Sequence, residues 1–152
     1  MIMQIKGVVF IMKVRDVMTH NICCVSPDMS IENAAKLMSG ADIGVIPVCG
    51  INGIVGIVTD RDIVTRGVSK GYSADAPVET IMTRTVTSIS PDADVKEAVK
   101  MMGEYQVRRL PVVSGSEIIG MLSVGDLARN GKLDSEVSKA EQGIAEVLKK
   151  KR

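Results

Sequence analysis

A gapless offset of 64 residues runs through this chain. It carries Val14, Met18 and Thr19 onto Val78, Met82 and Thr83, and Ser26-Pro27-Asp28 onto Ser90-Pro91-Asp92. Ala34, Lys36 and Met38 fall on Ala98, Lys100 and Met102, Pro47-Val48 on Pro111-Val112, and Ile54, Gly56 and Asp62 on Ile118, Gly120 and Asp126. These fourteen identities between residues 14–63 and 78–127 mark a duplication, and a duplication constrains a fold more than any single element does. Two copies of about fifty residues are too few for a solenoid. Each copy has an apolar face it cannot bury alone, so a pair packed with pseudo-twofold symmetry is the expected solution.

Each copy reads as β-α-β-β-α. In the first, residues 14–18 form a short helical turn and residues 22–25 a strand that Pro27 ends. Ser30 is the N-cap of a helix running to residue 39, with Ile31, Ala34, Ala35, Leu37 and Met38 on its apolar face and Gly40 as its stop. Strands over 45–49 and 54–58 follow, joined by a turn at 50–53, and a second helix runs from Asp60 to about Gly67. The same order repeats from residue 80. The chain thus divides into a leader or extra strand (1–12), a first repeat (13–69), a linker (70–76), a second repeat (77–131) and an amphipathic C-terminal helix (132–152). That helix spans 134–150, is capped by Asp134 or Ser135, and carries Val137, Ala140, Ile144, Val147 and Leu148 on one side; its closing Lys149 to Arg152 suit the helix dipole. The leader has no counterpart in the second repeat. A native start at Met12 is one expectation, and a strand over 7–11 is the other.

The strand-to-helix junctions carry the most chemistry. Gly56-Ile57-Val58-Thr59-Asp60-Arg61-Asp62 and Gly120-Met121-Leu122-Ser123-Val124-Gly125-Asp126 both set a hydroxyl three residues before an acid. Two readings are open. In one, Thr59/Asp62 and Ser123/Asp126 are capping boxes that satisfy helix-end donors. In the other, the helix N-terminus favours phosphate oxygens and the carboxylate accepts hydrogen bonds from a vicinal diol.

The series Val-x-x-Val-Met-Thr, Val-Ser-Pro-Asp, Ala-x-x-Met, Ile-Pro-Val or Leu-Pro-Val, and Gly-h-h-Thr/Ser-x-x-Asp (h apolar), met twice in order from residue 13 to about 130, resembles a tandem CBS-domain pair, the Bateman module. The resemblance implies a mixed α/β (α+β) fold and adenosine-containing ligands, such as AMP, ADP, ATP or S-adenosylmethionine, in clefts between the repeats. Asp62 with Thr59, and Asp126 with Ser123, would hold the ribose and phosphate. Cys24, Val25, Ile43, Ile46 and Pro47 in one half, and Ser88, Ile89, Val107, Leu110 and Pro111 in the other, would hold the base. Arg108 and Arg109 would meet phosphate, as a permanently charged fork suits. The halves differ there, with Gly44-Val45 in place of Arg108-Arg109, and Asp60-Arg61 in place of Val124-Gly125. The resemblance further implies signalling through an unidentified regulated protein, and a homodimer.

Composition narrows the alternatives. An apolar fraction of 45% with one Phe, two Tyr and no Trp implies a core of Ile, Val, Leu and Met. It leaves almost no aromatic platform for nucleic acid, and a net charge of +1 supplies no basic face, so nucleic acid is not the expected partner. No apolar run reaches the roughly 18 residues of a membrane span. The odd set of Cys23, Cys24 and Cys49 points to ordinary thiols in a reducing cytoplasm, and no ligand spacing for a metal is present. His20, the one histidine, lies in no nucleophile pattern, so no enzyme and no required cofactor are expected. Besides the nucleotide-responsive module, two readings stay open: an unliganded interaction scaffold, and a nucleic-acid accessory using Arg108, Arg109 and the Lys149 to Arg152 tail.

Overall fold

The computed structural model describes the backbone of residues 2–5, 8–130 and 133–150, and the side chains of residues 11–130 and 133–150. Gly7, Gly131, Lys151 and Arg152, on which sequence expectations fell, lie outside the described residues. The architecture is α+β, and the described residues form three antiparallel two-stranded sheets: β1 (Ile2–Ile5) with β2 (Val8–Ile11), β3 (Val45–Gly50) with β4 (Gly53–Thr59), and β5 (Arg109–Ser114) with β6 (Glu117–Ser123). The helices are α1 (Ile31–Ala41), α2 (Asp60–Asp62), α3 (Val95–Tyr105), α4 (Val124–Arg129) and α5 (Asp134–Lys150).

The chain divides into two compact units, and neither is one repeat. One is Cys23–Val86, and the other joins Met1–Ile22 to Thr87–Arg152. The turn that leads each repeat therefore belongs to the unit built on the other. In the first unit the core is Val25, Ile31, Ala34, Met38, Ile46, Val48 and Val58 together with Val78, Ile81 and Met82 from the head of the second repeat. In the other, Val14 and Met18 join a core of Ile89, Val95, Met102, Leu110, Leu122, Leu127, Leu133, Ala140 and Ile144, among others.

The repeated glycines explain the exchange. Thr83 pairs with Ile57 through two backbone hydrogen bonds of 2.8 and 2.9 Å, and Thr19 pairs likewise with Met121 at 2.9 and 3.0 Å. Each Met-Thr turn thereby crosses the hairpin at a glycine. A Cβ on Gly56 would stand 2.5 Å from Met82 Sδ, and one on Gly120 would stand 2.7 Å from the Thr19 carbonyl oxygen. A side chain at either place would have to push the crossing turn aside.

Several elements depart from the sequence expectation. The opening strand of each repeat shrinks to one parallel bridge, Val25 to Val48 and Ile89 to Val112. Pro47 and Pro111 sit in the facing strands and have no N–H to extend the ladder. Gly40 does not stop α1. The helix runs on to Ala41 and turns at Asp42 in the left-handed region (φ 53°), as α3 does at Gln106 (φ 56°), with Ile43 and Val107 donating back to the Met38 and Met102 carbonyls. After α2 the chain widens into a π turn (Ile63–Gly67) and a 3-10 turn (Val68–Lys70), so the stop is Gly71 rather than Gly67. Leu37, read as part of the apolar face of α1, is exposed, and Leu148 of α5 likewise. Helix α5 begins with Asp134 in its first turn rather than at its cap. It packs on α3 through Gly103 and Gly143, where a Cβ on Gly143 would come 2.9 Å from Gly103 Cα. Gly143 is thus the point at which the two helices approach most closely on each other's backbone.

Candidate ligand site

Both acid-hydroxyl junctions fold as capping boxes. Thr59 Oγ1 accepts the Asp62 N–H at 3.0 Å while Asp62 Oδ2 accepts the Thr59 N–H at 2.9 Å. Ser123 Oγ accepts the Asp126 N–H at 3.0 Å, and Asp126 Oδ2 accepts both the Ser123 N–H at 2.7 Å and its hydroxyl at 2.8 Å. These bonds hold each carboxylate rigidly at the first turn of a helix, where the dipole favours its charge.

The second oxygens differ. Asp126 Oδ1 accepts the Thr19 hydroxyl at 3.0 Å and also the Arg129 guanidinium, so all its acceptor positions are engaged in a residue that is 6% exposed. Among the described residues Asp62 Oδ1 faces only Arg66 Nε, at 3.6 Å, an ion pair longer than a hydrogen bond. Arg66 Nη1 donates to the Ile81 carbonyl and the Thr83 hydroxyl, both at 3.2 Å. One acid is saturated and its counterpart retains room for donors.

Asp126 and Arg129 border a cavity of about 570 Å³, whose lining also includes Asp16, Thr19 and Asn130. That volume lies in the range of small-molecule sites. Arg66 and Arg129 do not figure in the sequence reading, and Thr19 and Thr83 figure there only as repeated residues. The arginines stand three and four residues after the acids on the same helical face, a spacing that could have flagged them.

Arg108 does not join this group. Its carbonyl accepts the Val124 N–H at 3.0 Å at the start of α4, but its guanidinium pairs bidentately with Glu141 of α5. This pairing holds the Glu141 carboxyl below its ordinary range. Arg109 opens β5 opposite Ser123 and is exposed. Gly44 and Arg108 hold the same backbone place, each accepting the N–H of the first helical residue, Asp60 or Val124, and a Cβ on Gly44 would stand 2.9 Å from the exposed Asp60 Oδ2.

Of the residues expected along the base, Ile46 and Leu110 are fully buried in the two cores, and Val25 and Ile89 are buried with them. Pro47 and Pro111 are buried, Val107 is half-buried, and Cys24, Ser88 and Ile43 are exposed. Among the described residues no group of three or more His, Cys, Asp or Glu side chains is placed to hold a metal ion. No helix among them is long and apolar enough to cross a membrane.

Comparison with known proteins gives the same two segments. The chain is 34% identical over 132 residues to the CBS domain-containing protein YhcV of Bacillus subtilis, covering 87% of this chain and 94% of that one. The crystal structure of Hypoxic Response Protein I with two coordinated zinc ions matches with a TM-score of 0.72 at 32% identity, over 78% of this chain and 98% of that one. The CBS domain pair of protein MJ0100, solved in complex with 5-methylthioadenosine and S-adenosyl-L-methionine, matches with a TM-score of 0.70 at 26% identity, over 78% and 94%. The CBS-domain family profile matches residues 14–69 and 78–132, and with the duplicated junctions and these relatives it establishes that the chain belongs to the CBS-domain family as a tandem pair.

Proposed function

We propose that this CBS pair is a regulatory module that binds an adenosine-containing nucleotide, with Asp62 receiving the ribose hydroxyls and Thr59 fixing the carboxylate that receives them. The observation that carries this reading is the outer oxygen of Asp62, which faces Arg66 at 3.6 Å and keeps acceptor capacity for a diol. Arg66 lies beside it as a cation for phosphate. The solved pair bound to 5-methylthioadenosine and S-adenosyl-L-methionine supports the ligand class. At Asp126 a ribose has to displace Arg129 before it gains an acceptor, so the cavity there is the second and weaker site. The output passes to a regulated protein or a second copy of the chain. Exposed Val64 and Val68, four residues apart after α2, favour a homodimer.

A thermal-shift titration against adenine and guanine nucleotides and S-adenosylmethionine tests this. A ligand at about a hundred times its dissociation constant adds roughly 2.7 kcal/mol, or several degrees. Asp62→Ala is expected to abolish the shift while costing about 1 kcal/mol for the lost cap. Asp126→Ala is expected to lower stability by about 2–3 kcal/mol by orphaning the donors around it, yet to leave the ligand shift in place. A folded protein that responds to no compound supports the scaffold reading, in which the capping boxes are the whole role of both acids.

A further inference from the structure

The bridge between Val25 and Val48 is made by two hydrogen bonds, from Val25 N–H to the Pro47 carbonyl at 3.1 Å and from Cys49 N–H to the Val25 carbonyl at 2.9 Å. Both valines point into the core. Alternation along extended backbone then sends the residues next to them to the opposite face, and these are Cys24 and Cys49. Their Sγ atoms lie 2.9 Å apart, in one compact unit. Cys24 is exposed and Cys49 half-buried, so a small oxidant reaches the pair.

We propose that Cys24 and Cys49 are the two halves of a reversible intramolecular disulfide, formed by exchange with a small-molecule disulfide, which fastens the segment leading into α1 to strand β3. Desolvation, followed by the hydrogen bond to Cys49, pushes the Cys24 thiol up to about 12, although the residue as a whole is exposed. Either sulfur can donate in this contact. One of the two, as thiolate, displaces one thiolate from the small disulfide and forms a mixed disulfide. The other then loses its proton and attacks that protein sulfur, and the second thiolate leaves. Two protein thiols give up two electrons and two protons, and the small disulfide becomes two thiols.

The consequence is mechanical. Without the bond the segment is held to β3 by the single Val25 bridge; with it, the loop from Cys24 to Cys49 is closed covalently, which restricts the unfolded chain.

The test uses the full chain incubated with oxidised glutathione at neutral pH, then alkylated and read by intact mass and non-reduced peptide mapping. The wild type, with three cysteines, is expected to keep one alkylatable thiol, to lose the mass of two hydrogens and to yield a Cys24–Cys49 peptide pair. Dithiothreitol restores all three. Cys23→Ser behaves in the same way with no thiol remaining, and the oxidised forms melt several degrees higher. Cys24→Ser and Cys49→Ser carry glutathione adducts or free thiols instead. The proposal is overturned if Cys23→Ser keeps both thiols, if it carries glutathione on each, or if Cys23 appears in the linked peptide of the wild type.

Discussion

Gly56 and Gly120 owe their place to the carbonyl that crosses over each of them. Converting either to alanine sets a methyl group against the Met-Thr turn, but the two sites differ in what must give way. At Gly120 the obstacle includes the Thr19 backbone oxygen at 2.7 Å, which cannot move without the turn. At Gly56 the nearest obstacle is the Met82 thioether at 2.5 Å, a flexible side chain, with the Thr83 oxygen at 3.0 Å. Both substitutions are expected to destabilise by about 1–3 kcal/mol, Gly120→Ala more than Gly56→Ala, as measured by urea denaturation. The local chemistry of the site was legible at this scale because a capping box spans three residues. The Thr19 bond to Asp126 was not, since it joins positions 107 apart in sequence. The basic pair at Arg108-Arg109 was visible, but not the pairing that takes one of them away. Glu141 lies on a helix outside the repeat, so no comparison of one copy with the other points to it.

Elements were legible where periodicity ran long enough to decide. The span 134–150 read for the last helix is the one observed, because seventeen residues of amphipathic pattern leave little choice. The short opening strands were misread because apolar residues before a proline satisfy a strand pattern even when one residue pairs. The α1 end was missed because its turn uses Asp42 at positive φ, as that of α3 uses Gln106, where a glycine would have announced it. Helix α5 is tied by the Arg108–Glu141 pair to the residue just before β5, and this element carries a pH dependence. A carboxyl held below its ordinary value contributes stability above that value and loses it as the pH falls through the lowered one. Amide protection in α5 is therefore expected to be flat from neutrality to about pH 5 and to drop below the ordinary glutamate value of about 4.3. Glu141→Gln removes the part of this drop that belongs to the pair, and hydrogen exchange compared between the two proteins reads it.

At the scale of the whole molecule the duplication was plain in the sequence, but the partition into units was not. Identities at a constant offset show what is copied and leave open which copy of a turn covers which hairpin. The exchange makes a specific prediction about fragments. Residues 23–86 hold a complete core, including Val78, Ile81 and Met82, each no more than 6% exposed. Residues 13–76, which correspond to a repeat and its linker, lack those three. The first fragment is expected to unfold cooperatively on heating, followed by circular dichroism, and the second to show no transition. Equal cooperativity in both would contradict the division into units.

The same exchange sets a timetable for biosynthesis. Residues 23–86 carry the whole of their own core cluster as they leave the ribosome. Val14 and Met18 emerge earlier, yet their first core partner, Ile89, follows Val14 by about 75 residues, roughly 4–15 s at 5–20 residues per second. For that interval the nascent chain carries an apolar turn with its own hairpin already made and the hairpin it belongs to not yet translated.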